Sequence, residues 1–142
     1  TRQLKLWANY TNLHARFINY QKGTAVYDGN KLTGTAPQVF VLGADIITSA
    51  GIYANATFSY TGKIPLNDAN AFFASDYKLF FIKTGYKVNL GKKILADIFL
   101  AYDKSFNAPY SLGNDLNAAG NRFFNPAAPQ NLNGGFIVKF IL

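Results

Sequence analysis

Ile52-Tyr-Ala-Asn-Ala-Thr-Phe-Ser-Tyr-Thr61 sorts its side chains into two sets at a period of two. Ile52, Ala54, Ala56, Phe58 and Tyr60 form one set, and Tyr53, Asn55, Thr57, Ser59 and Thr61 the other. Successive side chains of an extended backbone point to opposite faces, so this is the pattern of a strand with one apolar and one polar face. Its aromatic and β-branched content fits a pleated surface, and a helix would group its apolar residues three and four apart instead.

Five other segments read the same way. The first, Leu4 to Phe17, sets Leu4, Leu6, Ala8 and Tyr10 against Lys5, Trp7, Asn9 and Thr11. The second opposes Phe40, Leu42, Ala44 and Ile46 to Val39, Val41, Gly43 and Asp45. The fourth, Tyr77 to Leu90, collects Phe80, Ile82, Thr84, Tyr86, Val88 and Leu90, with Phe81, Lys83, Gly85, Lys87 and Asn89 opposite. The fifth places Ile94, Ala96, Ile98, Leu100 and Tyr102 across from Leu95, Asp97, Phe99, Ala101 and Asp103. The sixth, Gly135 to Leu142, aligns Phe136, Val138, Phe140 and Leu142 against Lys139.

The connections carry as much information as the strands. Short turns at Ser49-Ala-Gly51 and Asn89-Leu-Gly-Lys92 alternate with long stretches at 18–37, 62–76 and 105–134. In an antiparallel up-and-down sheet this places every long loop at one end and both short turns at the other. Outer-membrane barrels have that asymmetry, with short periplasmic turns and long extracellular loops. A soluble β-sandwich has no reason to sort its loops so.

Composition points the same way. Of 142 residues, 15% are charged and 16% aromatic, so apolar surface is large and charge scarce. No apolar run approaches the ~18 residues of a spanning helix, whereas a barrel strand needs only about 9–11 residues, half of them polar. The net charge of +7 raises the question of nucleic acid. The densest bases, Lys83, Lys87, Lys92 and Lys93, merely flank a turn, and no basic helix or RNA-binding signature accompanies them. No nucleic-acid partner is expected. With Thr1 first and neither Met nor Cys, the chain reads as a fragment or processed product without disulfides or thiolate metal sites.

The fold class expected is therefore all-β, with antiparallel up-and-down transmembrane β-barrel strands, about six, forming part of a larger barrel. Six is below the usual minimum of about eight for a closed bacterial barrel, and a sheet edge cannot stay unpaired in lipid. Tyr10, Tyr60, Tyr77 and Tyr102 stand near strand ends, where interfacial aromatic girdles belong. The alternatives are a soluble ligand-binding β-sandwich, its apolar face turned inward, and a small structural outer-membrane barrel protein that closes with another chain.

Several strings resemble the C-terminal barrel strands of TonB-dependent receptors, in the right order over most of the chain. They are Trp7-Ala-Asn-Tyr-Thr-Asn-Leu-His-Ala-Arg-Phe17, Asn30-Lys-Leu-Thr-Gly-Thr-Ala-Pro37, Tyr60-Thr-Gly-Lys-Ile-Pro-Leu-Asn-Asp-Ala-Asn70, Arg122-Phe-Phe-Asn-Pro-Ala127 and Gly134-Gly-Phe-Ile-Val-Lys-Phe140. The chain departs from the family at Asp103-Lys-Ser-Phe106, at Pro129-Gln-Asn131 and at its aliphatic end, Ile141-Leu142. The resemblance implies that residues 1–142 are the C-terminal segment of a receptor barrel in the bacterial outer membrane, without its plug domain. It implies TonB-driven uptake of a scarce nutrient, an iron-siderophore complex first among them. The implied partners are outer-membrane lipid, the remainder of the barrel and plug, TonB through the missing N-terminal part, and a siderophore-like small molecule.

No catalytic set is expected. His14 has no second His with which to share a metal, so a structural or loop-contact role is assigned to it. Asp45, Asp97 and Asp103 fall on the polar face and are expected to pair with Lys83, Lys87 or Lys139 on neighbouring strands. The glycines form no phosphate-binding pattern. Neither enzyme activity nor a cofactor or metal site is assigned. Binding would sit on the long loops. In the stretch 105–134, Tyr110, Asn114, Asp115, Arg122 and Phe123 are the candidate ligand contacts, because Arg and aromatic rings grip anionic aromatic molecules by charge and stacking. The competing and preferred role for Arg122 to Pro126 is to anchor the loop on its neighbours.

Overall fold

The computed structural model describes residues 3–106 and 110–140. Six long strands form one antiparallel sheet: β1 (Gln3–Asn12), β4 (Gln38–Ile47), β5 (Ile52–Thr61), β8 (Tyr77–Asn89), β9 (Ile94–Ser105) and β12 (Gln130–Phe140). They lie side by side in chain order, each bonded to the next. The intervening loops carry three short ladders, β2 (Gln21–Lys22) with β3 (Ala25–Val26), β6 (Ile64–Pro65) with β7 (Phe73–Ala74), and β10 (Ser111–Asn114) with β11 (Phe124–Pro126). The all-β antiparallel class is thus observed. No closed barrel is formed: β1 and β12 are the two free edges of the sheet among the described residues.

All six strands keep the phase read from their alternation. Ala8, Leu42, Phe58 and Phe80 make one cross-strand row, and Leu6, Ala44, Ala56, Ile82, Tyr102 and Leu132 the next. A slip of one residue at any strand would have turned its apolar set to the other face. The result is one continuous apolar face. No second layer covers it among the described residues, and Leu6 (68% exposed), Leu100 (60%) and Phe136 (79%) project freely.

The strand ends differ from expectation in two places. The first strand stops at Asn12, not Phe17. Leu13 N–H still donates to Pro37 O at 2.8 Å. Beyond it the two segments meet again as an isolated bridge between Arg16 and Lys31, flanked by Phe17 N–H donating to Asn30 O at 2.9 Å. The last strand begins at Gln130, not Gly135, because Gln130 to Asn133 find partners on β9 from Lys104 to Ala101. Register overrides the weak alternation of Gln-Asn-Leu-Asn. Leu142 lies outside the described residues. Tyr10 and Tyr60 do stand in one row at the long-loop end of the apolar face. Tyr77 does not: it is opposite Thr61 on the polar face, its ring 5.4 Å from that of Tyr110.

Both turns close tightly. Thr48 N–H donates to Ile52 O at 2.9 Å and Leu90 N–H to Ile94 O at 2.8 Å, with Gly51 and Gly91 at positive φ. The polar face is stiffened by rings lying over cross-strand glycines, a device that fills the gap a missing side chain leaves. Trp7 covers Gly43, Tyr53 covers Gly85 and Phe99 covers Gly135. The expected lysine–aspartate pairing on this face is not what forms. Asp45 accepts from Asn55 Nδ2 at 2.7 Å and Trp7 Nε1 at 3.3 Å, and Asp97 from the Tyr53 hydroxyl at 3.0 Å. Lys83 and Lys87 lie instead over the rings of Phe99 and Tyr53, at 4.0 and 4.7 Å. The rings that cover Gly85 and Gly135 are thus also the ones that take these two ammonium groups.

Candidate binding site at the long-loop end

The three long loops meet at one carboxylate. Asp68 is buried, and its Oδ1 accepts from Thr33 Oγ1 at 2.6 Å and Asn117 Nδ2 at 3.1 Å. Its Oδ2 accepts from the Tyr20 hydroxyl at 3.1 Å. Its backbone joins in as well: Asp68 N–H donates to Asn117 Oδ1 at 3.0 Å, and Asp68 O accepts from Asn30 Nδ2 at 2.8 Å. Thr33, Asn30 and Tyr20 belong to the first loop and Asn117 to the third, so a single residue of the second loop ties all three. Asn70 adds a reciprocal pair with the backbone of Lys31, at 2.7 and 2.9 Å.

An apolar knot underlies the polar one. Leu66 (0% exposed), Ala74 and Phe123 (3%) form a buried cluster, with Ile64 and Ala118 against it. The ring of Phe72 lies 5.2 Å from that of Phe123. Gly34 N–H donates to Pro65 O and Asn117 N–H to Leu66 O, both at 2.9 Å. The strings 30–37, 60–70 and 122–127 meet at this junction, completed by Tyr20, Phe72, Ala74 and Asn117 from outside them.

Opposing influences act on Asp68. Burial raises its pKa, but the hydrogen bonds from Thr33, Asn117 and Tyr20, with the nearby Lys22 ammonium, outweigh that and hold it below the ordinary carboxyl value of 3.8. The hydrogen bond to Asp68, with burial and the carboxylate charge, raises the Tyr20 hydroxyl above its ordinary value. A depressed carboxyl pKa stabilises the charged, folded arrangement above pH 3.8, and the gain is lost as pH falls through the lower folded value. Loop amides such as Gly34 and Asn117 are thus expected to lose exchange protection on acidification below pH 3.8, when sheet amides keep theirs. Asp68→Asn, which sets an amide donor against donors, is expected to weaken loop docking by about 1–3 kcal/mol at neutral pH. Amide exchange of the two proteins at pH 7 checks this; equal loop protection would argue that the carboxylate is not the junction.

The five candidate contacts fall in two places. Asn114, Asp115, Arg122 and Phe123 come together at the tip of the β10–β11 hairpin, where Asn114 is opposite Phe124 and Asp115 N–H donates to Phe123 O at 3.0 Å. Asp115 and Arg122 are exposed, and Asn114 Oδ1 is a buried acceptor without a partner among the described residues. Phe123 is taken up by the apolar knot, while the ring of Phe124, two residues from exposed Arg122 in the chain, is 57% exposed. The two rings are adjacent in Arg122-Phe-Phe-Asn125, and nothing in that string says which of them turns inward. Tyr110 stands apart at the hairpin base, above a cavity of about 190 Å³ on the polar face, lined also by Ser59, Phe81, Asp103 and Pro129. No protein-family model matches this sequence.

Proposed function

We propose that this chain is barrel wall and extracellular loop of an outer-membrane receptor that takes up a scarce nutrient by a TonB-dependent route, with an iron-siderophore complex as the foremost cargo. The observation that carries the membrane part is the single sheet whose apolar face runs from β1 to β12, interrupted by charge only near its long-loop end, with nothing packed on it among the described residues. Soluble monomers rarely expose contiguous apolar patches beyond a few hundred Å². Strands of 10 to 13 residues have the length of tilted membrane strands. In this reading the edges β1 and β12 pair with the rest of the barrel, since lipid leaves no unpaired edge.

The receptor part rests on the family-like strings and their convergence. A preorganised loop platform carries Arg122 and Phe124 at its surface, groups suited to an anionic, aromatic chelate. The Tyr110 cavity opens on the opposite, lumen-facing side of the wall.

Leu100→Arg, at mid-height of β9 on the apolar face, is expected to cost about 2–4 kcal/mol of folding stability in a bilayer, the penalty of a charge at mid-membrane. Urea unfolding in lipid vesicles measures it. A chain that stays monomeric in plain buffer and tolerates Leu100→Arg would defeat the membrane reading. Loss of binding of a ferric catecholate on Arg122→Ala, with folding intact, would support the cargo class.

A further inference from the structure

Two lysines break the apolar face, and both stand near its long-loop end. Lys78 is in the row of Tyr10, Phe40 and Tyr60, and Lys104 in the next row, opposite Phe80 and Gln130. They are diagonal neighbours on β8 and β9, a relation that sets the two residues roughly 7–8 Å apart, their Cβ atoms somewhat closer. Both are exposed. The three acidic residues of the sheet, Asp45, Asp97 and Asp103, all project on the other face, and Asp76 lies in the loop leading into β8. Among the described residues neither ammonium is paired with a carboxylate; Lys104 lies 5.9 Å from the ring centre of Phe106. Two like charges side by side without a counter-ion repel, and an anion placed between them relieves that repulsion.

The same strands carry a groove farther along the same face. Thr84, Tyr86, Ile98, Leu100, Gly134 and Phe136 line an open, shallow apolar furrow of about 570 Å³ across β8, β9 and β12. Gly134 forms part of its floor, and the Leu100 side chain leans over it: a Cβ at Gly134 would meet Leu100 Cδ2 at 2.8 Å. Four residues separate Lys104 from Leu100 and six separate Lys78 from Thr84. At about 3.3 Å per residue the furrow begins roughly 13–20 Å below the ammonium groups.

We propose that the β8–β9–β12 face holds one anionic phospholipid-type molecule, its phosphate between Lys78 and Lys104 and an acyl chain laid along the furrow between Tyr86, Leu100 and Phe136. The proposal rests on the membrane reading above. Charge and shape are complementary in the same order along the wall: cationic at the rim, apolar and concave below. On the opposite face Lys87 and Lys139 line only a small cavity of about 70 Å³ that also holds Asp97, and Lys83 lies over the ring of Phe99, so these lysines serve as internal controls.

Native mass spectrometry of the full chain, released from a neutral maltoside detergent with added phosphatidylglycerol or diacylglycerol, tests this. One retained phosphatidylglycerol and no retained diacylglycerol is the expected result. The K78Q/K104Q double variant is expected to lower that retention about 30-fold, and K83Q/K139Q to leave it unchanged. Equal retention of the two lipids, or equal loss in both double variants, would overturn the lipid site with the membrane reading intact. A chain that needs no detergent at all would instead remove the membrane reading from beneath it.

Discussion

Phe123→Ala is expected to unlock the three long loops from one another while leaving the six-stranded ladder in place. The ring is buried among Leu66, Ala74 and Phe72, and this cluster is the apolar core of the loop region. Truncating a buried Phe costs about 3–5 kcal/mol through lost transfer energy and the cavity left behind. The sheet is held by its own cross-strand bonds, so the loss falls on the loops as a local opening. The amides of Gly34, Leu66 and Asn117, each bonded inside the junction at 2.8 to 2.9 Å, report it by hydrogen exchange. They should exchange faster by orders of magnitude, with Ala56 and Ile82 in the sheet unchanged. Exposed Arg122, one residue away, should show within about 0.5 kcal/mol of no effect on changing to Ala. Unchanged protection in Phe123→Ala would mean that the polar ties of Asp68 alone hold the loops.

Gly51→Ala is expected to disrupt folding more than any other single methyl added to a turn. Gly51 has φ +92°, and a Cβ there would lie 2.0 Å from the backbone oxygen of Lys87. Its own oxygen accepts from Lys87 N–H at 2.9 Å, so the turn between β4 and β5 is docked on β8. Backbone strain of about 1–3 kcal/mol adds to the displacement of a carbonyl that has no flexible end to yield, for a total above about 3 kcal/mol. Gly91→Ala is the matched comparison: φ is +77° but nothing lies within 4 Å of the added methyl. That variant should lose only the conformational part, about 1–2 kcal/mol. Urea midpoints of the two variants, refolded under identical conditions, separate strain from contact. Equal losses would show that the Lys87 carbonyl moves aside.

The sheet was legible because its information is local. In Ile52–Thr61 or Ile94–Asp103 the period of two is written in consecutive side chains, and a strand obeys it whatever its neighbours are. Counting residues between strands then sorted the loops to one end. Local signal fades at Gln130 to Asn133, which lack alternation and pair only because β9 reaches far enough to receive them. The bases and acids of the polar face were likewise misjudged as ion pairs, since nothing in strand phase foretells that Tyr53 and Phe99 lie over glycines and intercept Lys87 and Lys83.

The sequence by itself determined six two-faced strands, their phase and the end to which the long loops go, because each is a property of neighbouring residues and of chain length. Only the tertiary structure decided that Tyr20, Asn30, Thr33, Asp68 and Asn117 form one junction, and that Phe123 faces inward while Phe124 faces out. Those ties span 35 to 49 residues and are made by short polar side chains with no periodicity. A hydrogen bond needs a partner within about 3 Å, and no pattern along the chain states which distant residue folding will bring there.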